Sequence, residues 1–224
     1  PRLINRRAME LDSARNRILL ADAATIIQVN LATGERTILS NWANPNAQNY
    51  FTAILDMVMD VPNNRLLVLD ASTSNNRLIA VTLSSDATDG ERTIISDRDS
   101  PSVGFNFPRM KGIALDSENQ RVLASVYEYP DRKVMSINLA DGTRSVIHNG
   151  VDLHESSFSS ILLDELENRA LLFDEGNKVL AAMDITAGPG VGDITVISSN
   201  SFPQSNIARS PKHAVAIDID NNRL

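Results

Sequence analysis

The 224 residues predict an all-β chain of tandem four-stranded antiparallel units, and three observations carry that prediction. A short apolar stretch closed by Asp recurs five times, and an Arg stands five residues after each of those Asp. The segment Gly-Glu-Arg-Thr-Ile occurs at 34–38 and again at 90–94.

The Asp-closed stretches are Met9-Glu-Leu-Asp12, Val58-Met-Asp60, Ile113-Ala-Leu-Asp116, Ile161-Leu-Leu-Asp164 and Val215-Ala-Ile-Asp218, with Asp-to-Asp spacings of 48, 56, 48 and 54. The Arg partners are Arg17, Arg65, Arg121, Arg169 and Arg223, preceded by Asn16, Asn64, Gln120, Asn168 and Asn222. Each Asp ends a strand a. A polar turn then leads into strand b at 17–23, 65–71, 121–127 and 169–175. Strand c follows at 25–31, 77–83, 133–139 and 179–185, and a Gly-bearing turn introduces strand d at 36–40, 92–96, 144–148 and 194–198. These segments are short, rich in Val, Ile, Leu and Thr, and separated by Asn, Asp and Gly turns. No 11-residue window holds an apolar helical face, so helix content is expected to be low.

A repeated four-stranded unit of this length is a blade of a β-propeller, whose sheets bury both faces against their neighbours and are apolar nearly throughout. The repeats cover about 6–40, 53–96, 109–148 and 157–198, with a partial one at 211–224, and read as one domain over 1–224. Both ends offer strand a. They are redundant rather than complementary, so the expectation is a segment of a six- or seven-bladed ring.

Composition narrows the function classes. Lys+Arg 21 against Asp+Glu 28 gives a net charge of −7, which argues against a nucleic-acid ligand. No apolar run approaches a membrane span. With no Cys there is no disulfide, thiolate metal site or Cys nucleophile. The chain opens at Pro1 with no apolar signal segment, so its start is expected to be missing or processed.

Recurrence in every copy marks the Asp-x4-Arg pair as structural, the Asp accepting turn amides while the Arg pairs with a carboxylate or carbonyl. Asp22, Asp70 and Asp174 share the end of strand b, where a carboxylate is expected to hold the b–c corner; Val126 stands there in the third copy. Phe51 and Phe107 each precede their Asp by nine residues and read as blade plugs. Asp218-Ile-Asp220-Asn-Asn222 lacks the Gly and distal Glu of a calcium loop and reads as a turn.

Function is expected where the copies disagree. The d–a connections are long and irregular and, with the b–c corners, share the face where a propeller's channel opens. They hold Trp42 (the only Trp), Tyr50, Phe105, Phe202 and His154. Trp42 either packs under its loop or stacks on a ligand. The third b–c corner is replaced by the longer, aromatic Tyr127-Glu-Tyr129-Pro-Asp131. Five residues before each strand-a Asp stand Arg7, Leu55, Lys111, Ser159 and His213, with Arg109 two residues ahead of Lys111. These basic groups either focus an anionic ligand or keep a water-filled channel wet.

Lys111-Gly-Ile-Ala-Leu-Asp116 resembles strand a of the NHL/gluconolactonase-like (SMP-30-like) propeller repeats, and the other copies match it loosely. The resemblance implies a propeller scaffold that hosts many activities. The metal-dependent lactonases of that group converge Glu, Asn and Asp on a divalent cation at the channel mouth; the strand-a positions here offer only Asp56, with Glu10 farther along. No Ser-His-Asp or His-Glu-x-x-His arrangement is legible. Two readings follow. The first is a non-catalytic binding or interaction module, exported (periplasmic or extracellular) from a bacterium, needing no cofactor and holding a protein, peptide or glycan on the loop face through Trp42, Tyr50, Arg109, Lys111, Tyr127, Tyr129, His154 and His213. The alternative is a hydrolase, lactonase or lyase using Ca2+ or another divalent cation at the channel mouth.

Overall fold

The computed structural model describes residues 6–71, 76–99, 101, 109–127, 132–150, 158–174, 178–186 and 192–199. Its strands form four-stranded antiparallel sheets in simple a-b-c-d order. Blade 1 is β1 (Arg6–Asp12), β2 (Arg17–Asp22), β3 (Thr25–Asn30) and β4 (Arg36–Ser40); blade 2 is β5 (Ile54–Asp60), β6 (Arg65–Ala71), β7 (Asn76–Thr82) and β8 (Arg92–Ser96). Blade 3 is β9 (Met110–Asp116), β10 (Arg121–Tyr127), β11 (Arg132–Asn138) and β12 (Arg144–Gly150); blade 4 is β13 (Phe158–Asp164), β14 (Arg169–Asp174), β15 (Val179–Asp184) and β16 (Ile194–Ser198). The partial repeat expected at 211–224, with His213, lies outside the described residues, as do Phe105, Phe107, Tyr129, His154 and Phe202.

Strand a ends at its Asp in all four blades. The register explains the Asp-x4-Arg recurrence: Asp12 faces Arg17, Asp60 faces Arg65, Asp116 faces Arg121 and Asp164 faces Arg169 across the a–b pair. Each Arg donates Nε–H to the Asp opposite, at 2.8, 2.6, 2.7 and 2.8 Å. The Asp are buried and therefore need such a partner. The residue before each Arg is left-handed, with φ 49 at Asn16, 48 at Asn64, 50 at Gln120 and 48 at Asn168. Asn tolerates that conformation better than most residues. Strand c stops one residue sooner than expected, because the next amide turns to that left-handed residue: Leu31 N–H donates to the Asn16 carbonyl, Leu83 to Asn64 and Ile185 to Asn168.

Two compact units result, Pro1–Phe107 with Leu139–Thr143, and Pro108–Asn138 with Arg144–Leu224. In the first, Leu19, Ala21, Ile26 and Leu39 of blade 1 share one core with Met57, Val68, Ile79, Val81 and Leu83 of blade 2, and Phe51 plugs it. In the second, Leu123, Val134 and Ile147 of blade 3 pack with Phe158, Ile161, Leu172 and Met183 of blade 4. Burying such a side chain stabilises by about 1.5–3 kcal/mol, and this blade-to-blade contact is where most of them go.

In blades 2 and 3 the Gly of the c–d turn is the seat for the preceding blade. A Cβ on Gly90 (φ +89) would lie 2.2 Å from the Leu39 carbonyl oxygen, and one on Gly142 (φ +73) 2.1 Å from that of Ile95. The last residue of strand d locks the seat: Ser40 Oγ donates to the Gly90 carbonyl and Ser96 Oγ to that of Gly142, both at 2.8 Å, and His148 Nδ1 donates to that of Gly192 at 2.9 Å. Arg17 adds a bidentate pair to Asp89 of the next blade, at 2.8 and 3.2 Å.

One expectation is extended. The buried Asp70 faces Arg77 across the β6–β7 pair at the b–c end and also reaches the segment entering strand a. It accepts the Thr52 and Ala53 amides (2.8 and 2.7 Å), the Thr52 hydroxyl (3.0 Å) and the Arg77 guanidinium. The β5–β6 register brings the segment entering strand a over the end of strand b, so the carboxylate meets those amides first.

Candidate functional site

Residues 41–53, between blades 1 and 2, are built as a lashed loop. Asn41 turns the chain as it leaves β4: its Oδ1 accepts the Ala43 and Asn44 amides at 2.9 and 2.8 Å, and its own N–H donates to the Asn44 carbonyl at 2.8 Å. Asn44 Nδ2 reaches back to the Ile38 and Leu39 carbonyls at 3.1 and 3.0 Å.

The main tether is Arg92, the first residue of β8, which is buried. Its Nη1 donates to Ser40 Oγ (2.6 Å) and to the Asn41 and Asn44 carbonyls (2.7 and 3.0 Å). Its Nε and Nη2 donate to the Gln48 carbonyl (2.9 and 2.7 Å), and Nη2 also to that of Asn46. The guanidinium lies 5.6 Å from the Phe51 ring centre, within cation–π range. Burial lowers its pKa from the ordinary arginine value, yet an arginine stays charged at physiological pH. At the far end Arg77 Nη2 donates to the Tyr50 carbonyl at 2.8 Å, and Asp70 holds Thr52 and Ala53.

On this fixed backbone Trp42 is 70% exposed and Tyr50 51% exposed. Of the two alternatives for Trp42, packing under its loop is therefore removed. The end of β4 seats on the c–d turn of blade 2 through Ser40 and Gly90, so the loop begins at the c–d end of that blade, beside the outer strand β8. Tyr50 is tied to the start of β7, the opposite end of the same sheet. In the second unit Arg109 and Lys111 are exposed at the start of β9, and Tyr127 ends β10.

Sequence reading underrated one pair. Strand β1 runs beside β5, and Glu10, half-buried, has its pKa raised to about 7 by burial and by the nearby Asp56 carboxylate, against a backbone hydrogen bond from Met59. The signal lay in the two carboxylates on neighbouring strand-a copies. Among the described residues no three carboxylates or imidazoles converge on a point. Nor is any helix among them long and apolar enough to cross a membrane.

No known protein family matches the sequence, and no curated protein matches it. Solved structures do match the fold. A chain of the nidogen/laminin complex superposes with a TM-score of 0.62 at 12% identity, over 84% of this chain and 64% of that one. A structural genomics protein of unknown function from Bacteroides thetaiotaomicron gives 0.63 at 8% identity, over 87% and 43%. The Swd1 β-propeller domain from Myceliophteria thermophila gives 0.51 at 12% identity, over 75% and 50%. The chain thus spans less than two thirds of each of these structures. At such identities the likeness establishes the fold alone: this is a β-propeller chain, seen here as four of its blades.

Proposed function

We propose that the protein is a non-catalytic binding module whose main contact is Trp42. The observation that carries the reading is an exposed indole on a backbone whose carbonyls accept five Arg92 hydrogen bonds. A large apolar side chain standing in water is costly unless something covers it, and a preorganised loop loses little entropy when that happens. Tryptophan is also enriched among the residues that dominate protein interfaces. A protein, peptide or glycan with a flat apolar face fits such a platform. Membership of the NHL/gluconolactonase-like group and export from the cell belong to the same proposal, as does a binding role for Arg109, Lys111 and Tyr127 on the second unit.

The test uses glycan and peptide arrays probed with wild type and Trp42→Ala. Loss of at least tenfold in every wild-type hit, with quenching of the fluorescence of the sole tryptophan by the same ligands, is the expected result. Hits unchanged in Trp42→Ala would remove Trp42 as the contact.

The divalent-cation enzyme retains one observation, the Glu10–Asp56 pair. It predicts a thermal shift on adding Ca2+, Mg2+ or Mn2+ that EDTA reverses, and an unchanged melt with all three would count against it.

A further inference from the structure

The residues around Trp42 narrow what the loop can hold. Residues 41–53 read Asn-Trp-Ala-Asn-Pro-Asn-Ala-Gln-Asn-Tyr-Phe-Thr-Ala, without a carboxylate or a basic group, in a protein of net charge −7. Asn41, Asn44, Asn46 and Gln48 are the residues whose carbonyls accept from the single Arg92 guanidinium, and each of them carries a side-chain amide. Trp42 stands between the first two. Their carbonyls thus gather on one buried cation, while the Trp42, Asn44 and Gln48 side chains are exposed. The loop belongs to the stretch 6–71, which is described without a break, and it joins blade 1 to blade 2.

Three of these amides are fixed by one end. Asn41 Oδ1 is occupied by the Ala43 and Asn44 amides, which leaves its Nδ2 as a donor. Asn44 Nδ2 is occupied by the Ile38 and Leu39 carbonyls, which leaves its Oδ1 as an acceptor. Asn46 Oδ1 takes the Gln48 amide, which again leaves a donor. None of these remaining ends has a partner among the described residues, and the Gln48 side chain has none at either end. An exposed indole therefore stands among donors and an acceptor at set positions. Its neighbours along the loop are amides, Ala43 and Pro45, not the apolar cluster found at the centre of a protein interface. Each nitrogen of Arg92 is already engaged, so no donor of it is left for a carboxylate or phosphate.

We propose that this loop is a site for neutral saccharides, an inference that rests on the reading of Trp42 as the main contact. A pyranose ring presents an apolar face of C–H groups and a rim of hydroxyls, each of which both donates and accepts. The C–H face lies on the indole and meets the negative face of its π system. The rim hydroxyls exchange hydrogen bonds with Asn41 Nδ2, Asn44 Oδ1, Asn46 Nδ2 and the Gln48 amide. A charged sugar or peptide would have to be desolvated here with no ion pair to make, whereas a neutral sugar leaves no charge unpaired. Arg92 is a positioning residue: it sets the amides before the ligand arrives, so little conformational freedom is lost on binding.

Isothermal titration calorimetry tests it with the neutral hexasaccharides of cellulose, starch, mannan, xylan and chitin, and with hexagalacturonate as the charged comparison. Wild type should bind at least one of the neutral set with a Kd at or below about 1 mM. That affinity should hold between about 50 and about 500 mM NaCl, since no ion pair is there to be screened. Hexagalacturonate should bind at least about tenfold more weakly. Trp42→Ala should lose at least about tenfold, and Trp42→Tyr, which keeps an aromatic face, should recover most of it. Gln48→Ala removes a side chain with no bond inside the protein and should weaken binding about two- to tenfold with an unchanged thermal melt. If no neutral hexasaccharide binds, the proposal fails; peptide binding that Trp42→Ala abolishes would then keep Trp42 as the contact. Saccharide binding that Trp42→Ala leaves unchanged overturns both readings. Tighter binding of hexagalacturonate, or affinity that falls as salt rises, overturns the neutral ligand.

Discussion

Residues 34–40 and 90–96 differ in one letter, GERTILS against GERTIIS, yet they live in opposite surroundings. Both form the same turn and the same strand d. At 90–96 the Gly is pressed against a carbonyl of the preceding blade, and the Arg is buried under a loop that it tethers. At 34–40 no described residue lies within 4 Å of a Cβ built on the Gly, and the Arg is exposed. Local letters specify the hairpin; the neighbouring blade decides which atoms of it are buried.

The sharpest way to break that comparison is at the two glycines. Gly90→Ala places a methyl onto the Leu39 carbonyl in a left-handed backbone and should cost about 3 kcal/mol or more, read by urea denaturation. Gly34→Ala meets only the backbone penalty and should cost about 1 kcal/mol. Equal losses would mean that packing of the turn is not what distinguishes them.

The arginines come next. Arg92→Ala leaves the Asn41, Asn44, Asn46 and Gln48 carbonyls without their donor and should destabilise by about 2–3 kcal/mol, with rapid proteolysis in 41–50. Arg36→Ala should stay within about 0.5 kcal/mol, as exposed substitutions do. Limited proteolysis that leaves the 41–50 segment of Arg92→Ala as resistant as wild type would show that the loop is held by something else.

The smallest effect is at Glu10. Its folded pKa of about 7 lies above the ordinary 4.5, so the folded state holds the proton more tightly than the unfolded chain. Its contribution is therefore most favourable below about 4.5 and is lost as pH rises through about 7. Glu10→Gln should match wild type at pH 4 and gain on the order of 1–2 kcal/mol at pH 8, read as a difference between melting temperatures. A gain that does not grow with pH would separate Glu10 from Asp56.

Much of the fold was legible because a blade repeats its turn chemistry. The four-residue a–b turn puts Asp and Arg opposite each other, so the period of that pair located strands a and b of the four described blades. The further partners of Asp70 were not legible, because its position at the end of strand b does not say which amides arrive from elsewhere in the chain. Trp42 was legible as the sole tryptophan in an irregular loop, but the anchoring of that loop was not. That depends on Ser40 finding Gly90 fifty residues later.

By itself, then, the sequence determined the order of the strands in the described blades and the hairpins that join them, since each follows from contacts within one blade. Only the tertiary structure decided which faces are covered, what Arg92 tethers, and that Trp42 is exposed. Burial and long-range hydrogen bonds belong to pairs of blades, and a repeat writes the same letters whether or not its neighbour is there.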